Sequence, residues 1–329
     1  MGVRAVAALV AMLATGVCAG LLGIACVGCR GAGRARLTPG PMAASLELVR
    51  RDYPLLPGEP ECPAAPPGRV KAAPAGPEEH PYPVPPREAQ QVVFVADSWL
   101  VVTRVSASGK EKLVAFDADW SHSRAVSGLP EQRDGNYYLV LVPDPERRKT
   151  LVLTNYMSDP ERGRARVALL DIAHARVDTL FRATGCALSA VWAGERVVAV
   201  YEPDDGANVL VLIDPATRAV RELYREPPQA AGALIGRLWP SPGGSRVALD
   251  RTPTYTSANP TSRSRKRGIV VVDIATGRSG PVANDPRRSY YHATVEWENE
   301  DSLLFAIGEG GSTSLYRARL RPAGRTSHQ

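Results

Sequence analysis

Val209-Leu-Val-Leu-Ile-Asp-Pro-Ala-Thr-Arg-Ala-Val220 is the stretch from which the fold follows. An apolar, partly β-branched run ends at Asp214, a short turn follows, and a second strand-like run begins. The same arrangement returns at Val167–Val177 (VALLDIAHARV, with Asp171) and at Ile269–Val282 (IVVVDIATGRSGPV, with Asp273). A second unit, a Trp followed by a polar turn and an apolar run, stands upstream of two of these blocks: Trp192-AGERVVAV and Trp239-PSPGGSRVALD. Trp297-ENEDSLLFAI is a further copy. Strand-and-turn self-similarity at a period of about 40–55 residues predicts an all-β fold, a β-propeller, whose blades pack mainly on their neighbours.

The repeats divide residues 90–325 into five units of roughly four strands. Their first strands are expected near Val92, Tyr137, Ala187, Leu234 and Thr294. Five blades are therefore expected, or six if the N-terminal segment adds more than one strand. The fifth unit ends in RPAGRTSHQ without an obvious fourth strand, and an incomplete last blade leaves an open pairing edge. The candidate to fill it is Leu46–Tyr53 (LELVRRDY), the apolar stretch ahead of a proline-rich segment. The competing reading makes this stretch a short helix or an unstructured tail.

Three organisational zones result: an apolar segment at 1–29, a proline-rich linker at 30–89 and the propeller at 90–325. Ala5–Cys29 carries no charge, and a span of that length is enough to cross a bilayer, although eleven of its twenty-five residues are Ala or Gly. It reads as a long signal peptide, an uncleaved anchor or a lipoprotein signal, with Cys26 and Cys29, each after a small residue, as lipidation candidates. Arg30, Arg34 and Arg36 follow it, and such charge favours the cytoplasmic side. Export remains the expected outcome, to a bacterial cell envelope. Residues 54–86 hold twelve prolines, which suit an extended polyproline spacer and neither helix nor sheet.

Trp239-Pro-Ser-Pro-Gly-Gly-Ser-Arg-Val-Ala-Leu resembles the repeat of TolB-like propellers, Trp-Ser-Pro-Asp-Gly-Lys-x-Ile-Ala-Phe. Gly243 stands where the family has Asp, and Trp192 and Trp297 lack the Ser-Pro. The resemblance implies a Trp packed between blades and a Gly that permits the tight turn. It also implies the settings where such propellers occur: periplasmic proteins that bind partner proteins, and the non-catalytic domain of certain serine peptidases.

Chemistry is sparse. No Gly-x-Ser-x-Gly nucleophile elbow occurs, and the five histidines are scattered without metal-ligand spacing. Asp97 and Glu296 are the nearest candidates for the paired carboxylates of a propeller glycoside hydrolase. Glu202-Pro-Asp-Asp-Gly-Ala-Asn208 reads as a turn, with a calcium loop as the alternative. Cys62 and Cys186 read as unpaired thiols, with a disulfide as the alternative in an oxidising compartment. The net charge is +6, but no basic stripe interleaved with aromatics is present, so nucleic acid is not the expected partner.

Tyrosine and arginine, the types that dominate interface hot spots, gather instead in the longest insertions. Asn155–Arg166 carries Tyr156 and Arg162, and Arg251–Gly268 carries Tyr255, Arg263, Arg265 and Arg267. The loop leading into the last unit adds Arg287, Arg288, Tyr290, Tyr291 and His292. The sequence thus predicts a monomeric, cofactor-free propeller scaffold that binds a protein partner in the envelope. A propeller glycosidase, or a degenerate structural propeller without a ligand, are the alternatives.

Overall fold

The computed structural model describes residues 37–51, 89–104, 110–130, 137–156, 165–183, 188–203, 205–226, 233–253, 268–284, 290–309 and 312–322. Cys26, Cys29, Cys62, Cys186 and the whole of the segment Ala5–Cys29 lie outside them. Two N-terminal strands, β1 (Thr38–Pro39) and β2 (Ala43–Arg50), precede the repeats. Blade one contains β3 (Ala89–Val95), β4 (Ser98–Arg104), β5 (Glu111–Asp117) and β6 (Ser123–Ala125). Blade two contains β7 (Tyr137–Pro143), β8 (Thr150–Tyr156), β9 (Arg166–Asp171) and β10 (Arg176–Arg182). Blade three is built from β11 (Leu188–Ala193), β12 (Arg196–Tyr201), β13 (Asn208–Ile213) and β14 (Val220–Glu226). Blade four has β15 (Ala233–Pro240), β16 (Arg246–Pro253), β17 (Gly268–Asp273) and β18 (Ser279–Pro281), followed by the short β19 (Ala283–Asn284). Blade five has β20 (Tyr290–Asn299), β21 (Ser302–Glu309) and β22 (Ser312–Leu320).

These strands form five four-stranded antiparallel sheets, the first four each an up-and-down meander, and the described residues hold no helix. First strands of successive blades lie beside one another: β3 by β7, β7 by β11, β11 by β15, β15 by β20. Strand alternation gives each blade two apolar faces, and consecutive blades interlock them. Leu100, Val102 and Leu113 of blade one meet Leu139, Leu141 and Val152 of blade two. Leu151 and Val167 then meet Trp192, Val197 and Val209 of blade three. Val198 and Leu210 meet Val247, Leu249 and Val270 of blade four. Ala248, Ile269 and Val271 meet Leu303, Phe305 and Ile307 of blade five. The chain is a β-propeller.

The fourth strand of blade five comes from the N-terminus. β2 pairs antiparallel with β22, Leu46 opposite Ala318 and Leu48 opposite Tyr316. It begins at Ala43, three residues earlier than the stretch singled out in the sequence, because Ala43, fully buried, and Met42 join the core between blades four and five. β1 reaches further and pairs with β19, so the same segment touches both blades. The proline-rich stretch therefore joins the outer strand of blade five to the inner strand of blade one. It does not stand between the propeller and everything N-terminal to it.

The turn of the Trp239 repeat shows why two glycines stand together. Gly244 has φ of +68°, and a Cβ there would come within 2.4 Å of the backbone of Ala193 and Gly194 in the adjacent blade. Gly244→Ala combines a left-handed conformation with a backbone clash and is expected to cost about 3 kcal/mol in a urea titration.

Candidate binding face

The two ends of the blades differ. At one end the strands are joined by short turns closed by their own hydrogen bonds. The repeated aspartates are the reason: Asp171 Oδ1 accepts the His174 N–H at 3.2 Å, Asp214 Oδ1 the Ala216 N–H at 2.8 Å, and Asp273 Oδ1 the Thr276 N–H at 2.9 Å. These bonds to the ionised carboxylates hold Asp171 and Asp214 below the usual range. The leading causes are the His174 side chain at Asp171 and the Thr217 N–H at Asp214.

At this end, neighbouring blades are also tied together. Trp192 Nε1 donates to the Val142 carbonyl of blade two at 2.9 Å, and Trp297 Nε1 to the Trp239 carbonyl of blade four at 3.0 Å. Glu300, in the turn between β20 and β21, clamps the Ser-Pro-Gly-Gly-Ser turn of blade four. Its carboxylate accepts from Ser241 Oγ at 2.7 Å, from the Gly243 N–H and from Ser245 Oγ. Arg246, its side chain only 4% exposed, donates to the Glu300 carbonyl at 2.7 Å, to Asp301 at 2.8 Å and to the Arg321 carbonyl at 3.0 Å.

Partial burial pushes the Glu300 carboxyl up, but its three hydrogen-bond donors outweigh this and leave it lowered. A lowered folded value means the clamp contributes fully above the unfolded value of 4.5 and is lost as pH falls below it. Glu300→Gln should therefore lower the melting temperature at about pH 7, with the gap to the parent closing as pH drops below about 4. Thermal melts across that range check it.

The opposite end carries the insertions. They leave from the end of β8, the end of β16 and the approaches to β3, β7, β15 and β20. The described strands carry a polar floor of buried side chains at this end: Thr154, Asn155, Asn208, Glu226 and Asp250. Glu111, at the start of β5, is buried too. Its carboxylate accepts the Leu139 N–H at 2.5 Å, and burial raises its titration range against that bond and nearby Arg104. Burial alone raises Glu202. Among the described residues, Thr154 Oγ and Arg166 Nε, one on each side of the 157–164 insertion, are buried without a hydrogen-bond partner.

The sequence-selected residues fall as follows. Tyr156 ends β8, opposite Tyr137 of β7. Tyr290, Tyr291 and His292 belong to β20, opposite Gly308, Ile307 and Ala306. They are strand residues, not loop residues, because β21 extends to Glu309 and gives their backbone groups partners. Arg162, Tyr255, Arg263, Arg265, Arg267, Arg287 and Arg288 lie outside the described residues. What sequence reading missed is the set of buried polar side chains, since Thr154, Asn155, Asn208, Glu226 and Asp250 come from four strands, β8, β13, β14 and β16, far apart in the chain.

The two carboxylates considered for glycoside cleavage are both exposed. Asp97 sits exposed in the β3–β4 turn with φ of +57°, at the short-turn end, and Glu296 lies exposed within β20. Asp205 Oδ1 accepts the Ala207 N–H at 2.9 Å, and Gly206 has φ of +73°, as in a turn. Among the described residues, no cluster of His, Cys, Asp and Glu suits a metal ion.

No protein-family model matches the chain, and no curated protein matches it. Solved structures do. The chain is similar to TolB from Acinetobacter baumannii at 13% identity, over 69% of this chain and 53% of that one, with a TM-score of 0.38. It is also similar to the β-propeller domain of the trilobed protease from Pyrococcus furiosus (13% identity, 71% and 68% covered, TM-score 0.44). A manganese complex of oligogalacturonate lyase matches at 12% identity, over 69% and 74%, with a TM-score of 0.32. The chain spans about half the length of the Acinetobacter TolB. The strands themselves make the chain a β-propeller, a scaffold that does not by itself specify an activity.

Proposed function

We propose that this chain is a non-catalytic scaffold of the cell envelope that engages a protein partner through its insertion-bearing face. One observation carries the reading: every long excursion leaves the same end of the blades, whereas the other end is closed by short, internally bonded turns. Loops held on a rigid sheet frame are where binding residues concentrate. Tyr156, Arg162, Tyr255, Arg263, Arg265, Arg267, Arg287 and Arg288 supply amphipathic contact area and forked donors at that end. Tyr290, Tyr291 and His292 extend it along the start of β20.

Envelope attachment through Ala5–Cys29, by anchor, lipid on Cys26 or Cys29, or export, is part of the same proposal. The experiment is a pull-down from envelope extract with the parent and with Tyr255, Arg263, Arg265 and Arg267 changed to Ala. The partner should be captured by the parent and lost, or reduced at least tenfold, by the variant. Undiminished capture would remove the face.

A further inference from the structure

Blade two carries a row of side chains that the packing between blades leaves unsatisfied. Its face towards blade one is apolar at Leu139, Leu141, Val152, Ala168 and Leu170. Residues directly opposite one another on antiparallel strands share a face. Leu139 stands opposite Thr154, Thr154 opposite Arg166, and Arg166 opposite Arg182. At the insertion-bearing end, that apolar face therefore gives way to one hydroxyl and two guanidinium groups, drawn from β8, β9 and β10.

Two independent observations set this row apart. Thr154 is 2% exposed, and among the described residues its Oγ has no hydrogen-bond partner. The Nε of half-buried Arg166, on the neighbouring strand, is likewise shielded from solvent and unmatched. A buried polar group left without a partner costs about 1–3 kcal/mol, and a charged one more. The second observation is charge. Arg166 and Arg182 face each other across β9 and β10, and like charges at directly opposite positions weaken a strand pair.

The acids nearby are committed elsewhere. In blade two, Asp144, Glu146 and Asp171 are bonded at the short-turn end, and Asp178 pairs with Arg218 of blade three. From blade one, Glu111 reaches the same seam, but its carboxylate accepts the Leu139 N–H. The cation that acts on it is Arg104, which stands opposite it on β4. Among the described residues, neither Arg166 nor Arg182 has a carboxylate within ion-pair distance.

We propose that Thr154, Arg166 and Arg182 form a binding site for a phosphate group, either free phosphate or a phosphate monoester. The edge of a guanidinium made by Nε and one Nη offers two parallel donors, and two phosphate oxygens match them. A tetrahedral anion keeps a third oxygen for the Thr154 hydroxyl, which donates to it. Its charge of about −1.5 to −2 at neutral pH balances two arginines. A carboxylate carries one charge and two oxygens, and serves this set of donors less well. Arg166 and Thr154 hold the anion, while Arg182, exposed on the outer strand, draws it in.

The test uses the full chain carrying nitrogen-15 arginine, with the Arg166 Nε–H signal assigned by Arg166→Lys. Inorganic phosphate, glycerol phosphate and acetate are titrated in turn at constant ionic strength. Phosphate should shift the Arg166 signal saturably, with about tenfold more acetate needed for the same shift. Tighter binding of the ester would support the site as one for a phosphorylated organic molecule, and equal or tighter binding of the free ion as one for phosphate itself. Thr154→Val removes the hydroxyl at nearly constant shape. The unliganded variant should melt at or above the parent's temperature, because an unmatched buried group is gone, while its phosphate affinity falls at least fivefold. A shift that does not saturate, or one abolished by about 0.3 M chloride, where exposed charges are screened, would overturn the site. Equal response to acetate would overturn the phosphate assignment. So would a Thr154→Val chain that melts well below the parent with unchanged phosphate affinity, the mark of a hydroxyl that serves the fold alone.

Discussion

A chain from which residues 37–51 are deleted melts more than about 10 °C below the parent and tends to self-associate. The deletion removes Leu37, Met42 and Ala43 from the core between blades four and five, together with the partly buried Leu46. At about 1.5–3 kcal/mol for each large apolar side chain, the loss is roughly 5 kcal/mol, and each kcal/mol shifts the melting point of a domain this size by about 2–4 °C. It also strips the pairing partner from β22, a nine-residue strand, and a long free edge recruits other chains. Ala43→Asp is the point-mutant form of the test, since Ala43 has no exposed surface. An unpaired carboxylate there should reproduce much of the effect. Scanning calorimetry and light scattering read both results.

Trp192→Ala carries the second large effect, about 3–5 kcal/mol. Its ring is 4% exposed and fills the space between blades two and three. Its loss also leaves the Val142 carbonyl without its donor. Trp239→Ala should fall at the lower end of the same range, because that ring is only partly buried. Denaturant titrations rank the two.

These magnitudes follow from features visible in the sequence to different degrees. The repeated Asp after each apolar run was legible because its chemistry is local: a carboxylate two or three residues ahead of the amides it caps. The Trp-Pro-Ser-Pro-Gly-Gly turn was legible for the same reason, and Trp192 and Trp297 indeed bridge blades. The closing strand was recognisable only as an apolar stretch, and its start at Ala43 is set by partners in blades four and five, far away in the chain. β1 and β19, two residues each, leave no pattern at all. The strand status of Tyr290–His292 depends on the length of β21 opposite, not on their own residue types.

The proposed loops stand out in the sequence, whereas the buried polar residues beside their ends do not. Arginine and tyrosine in long insertions are conspicuous by composition. Buried Asn155, Asn208 and Asp250 stand on three different strands, β8, β13 and β16, and only the assembled blades show that they share an end. The row of Thr154, Arg166 and Arg182 in blade two has the same character: its members become neighbours only through strand register.

The most direct measurement is site-specific photocrosslinking in the native cell, with the reactive residue placed at Arg265 on the insertion-bearing face and, separately, at Thr217, exposed in a turn at the opposite end. A discrete protein adduct from position 265 and none from position 217 is the predicted result. Adducts from position 217, or none from position 265, would contradict the account.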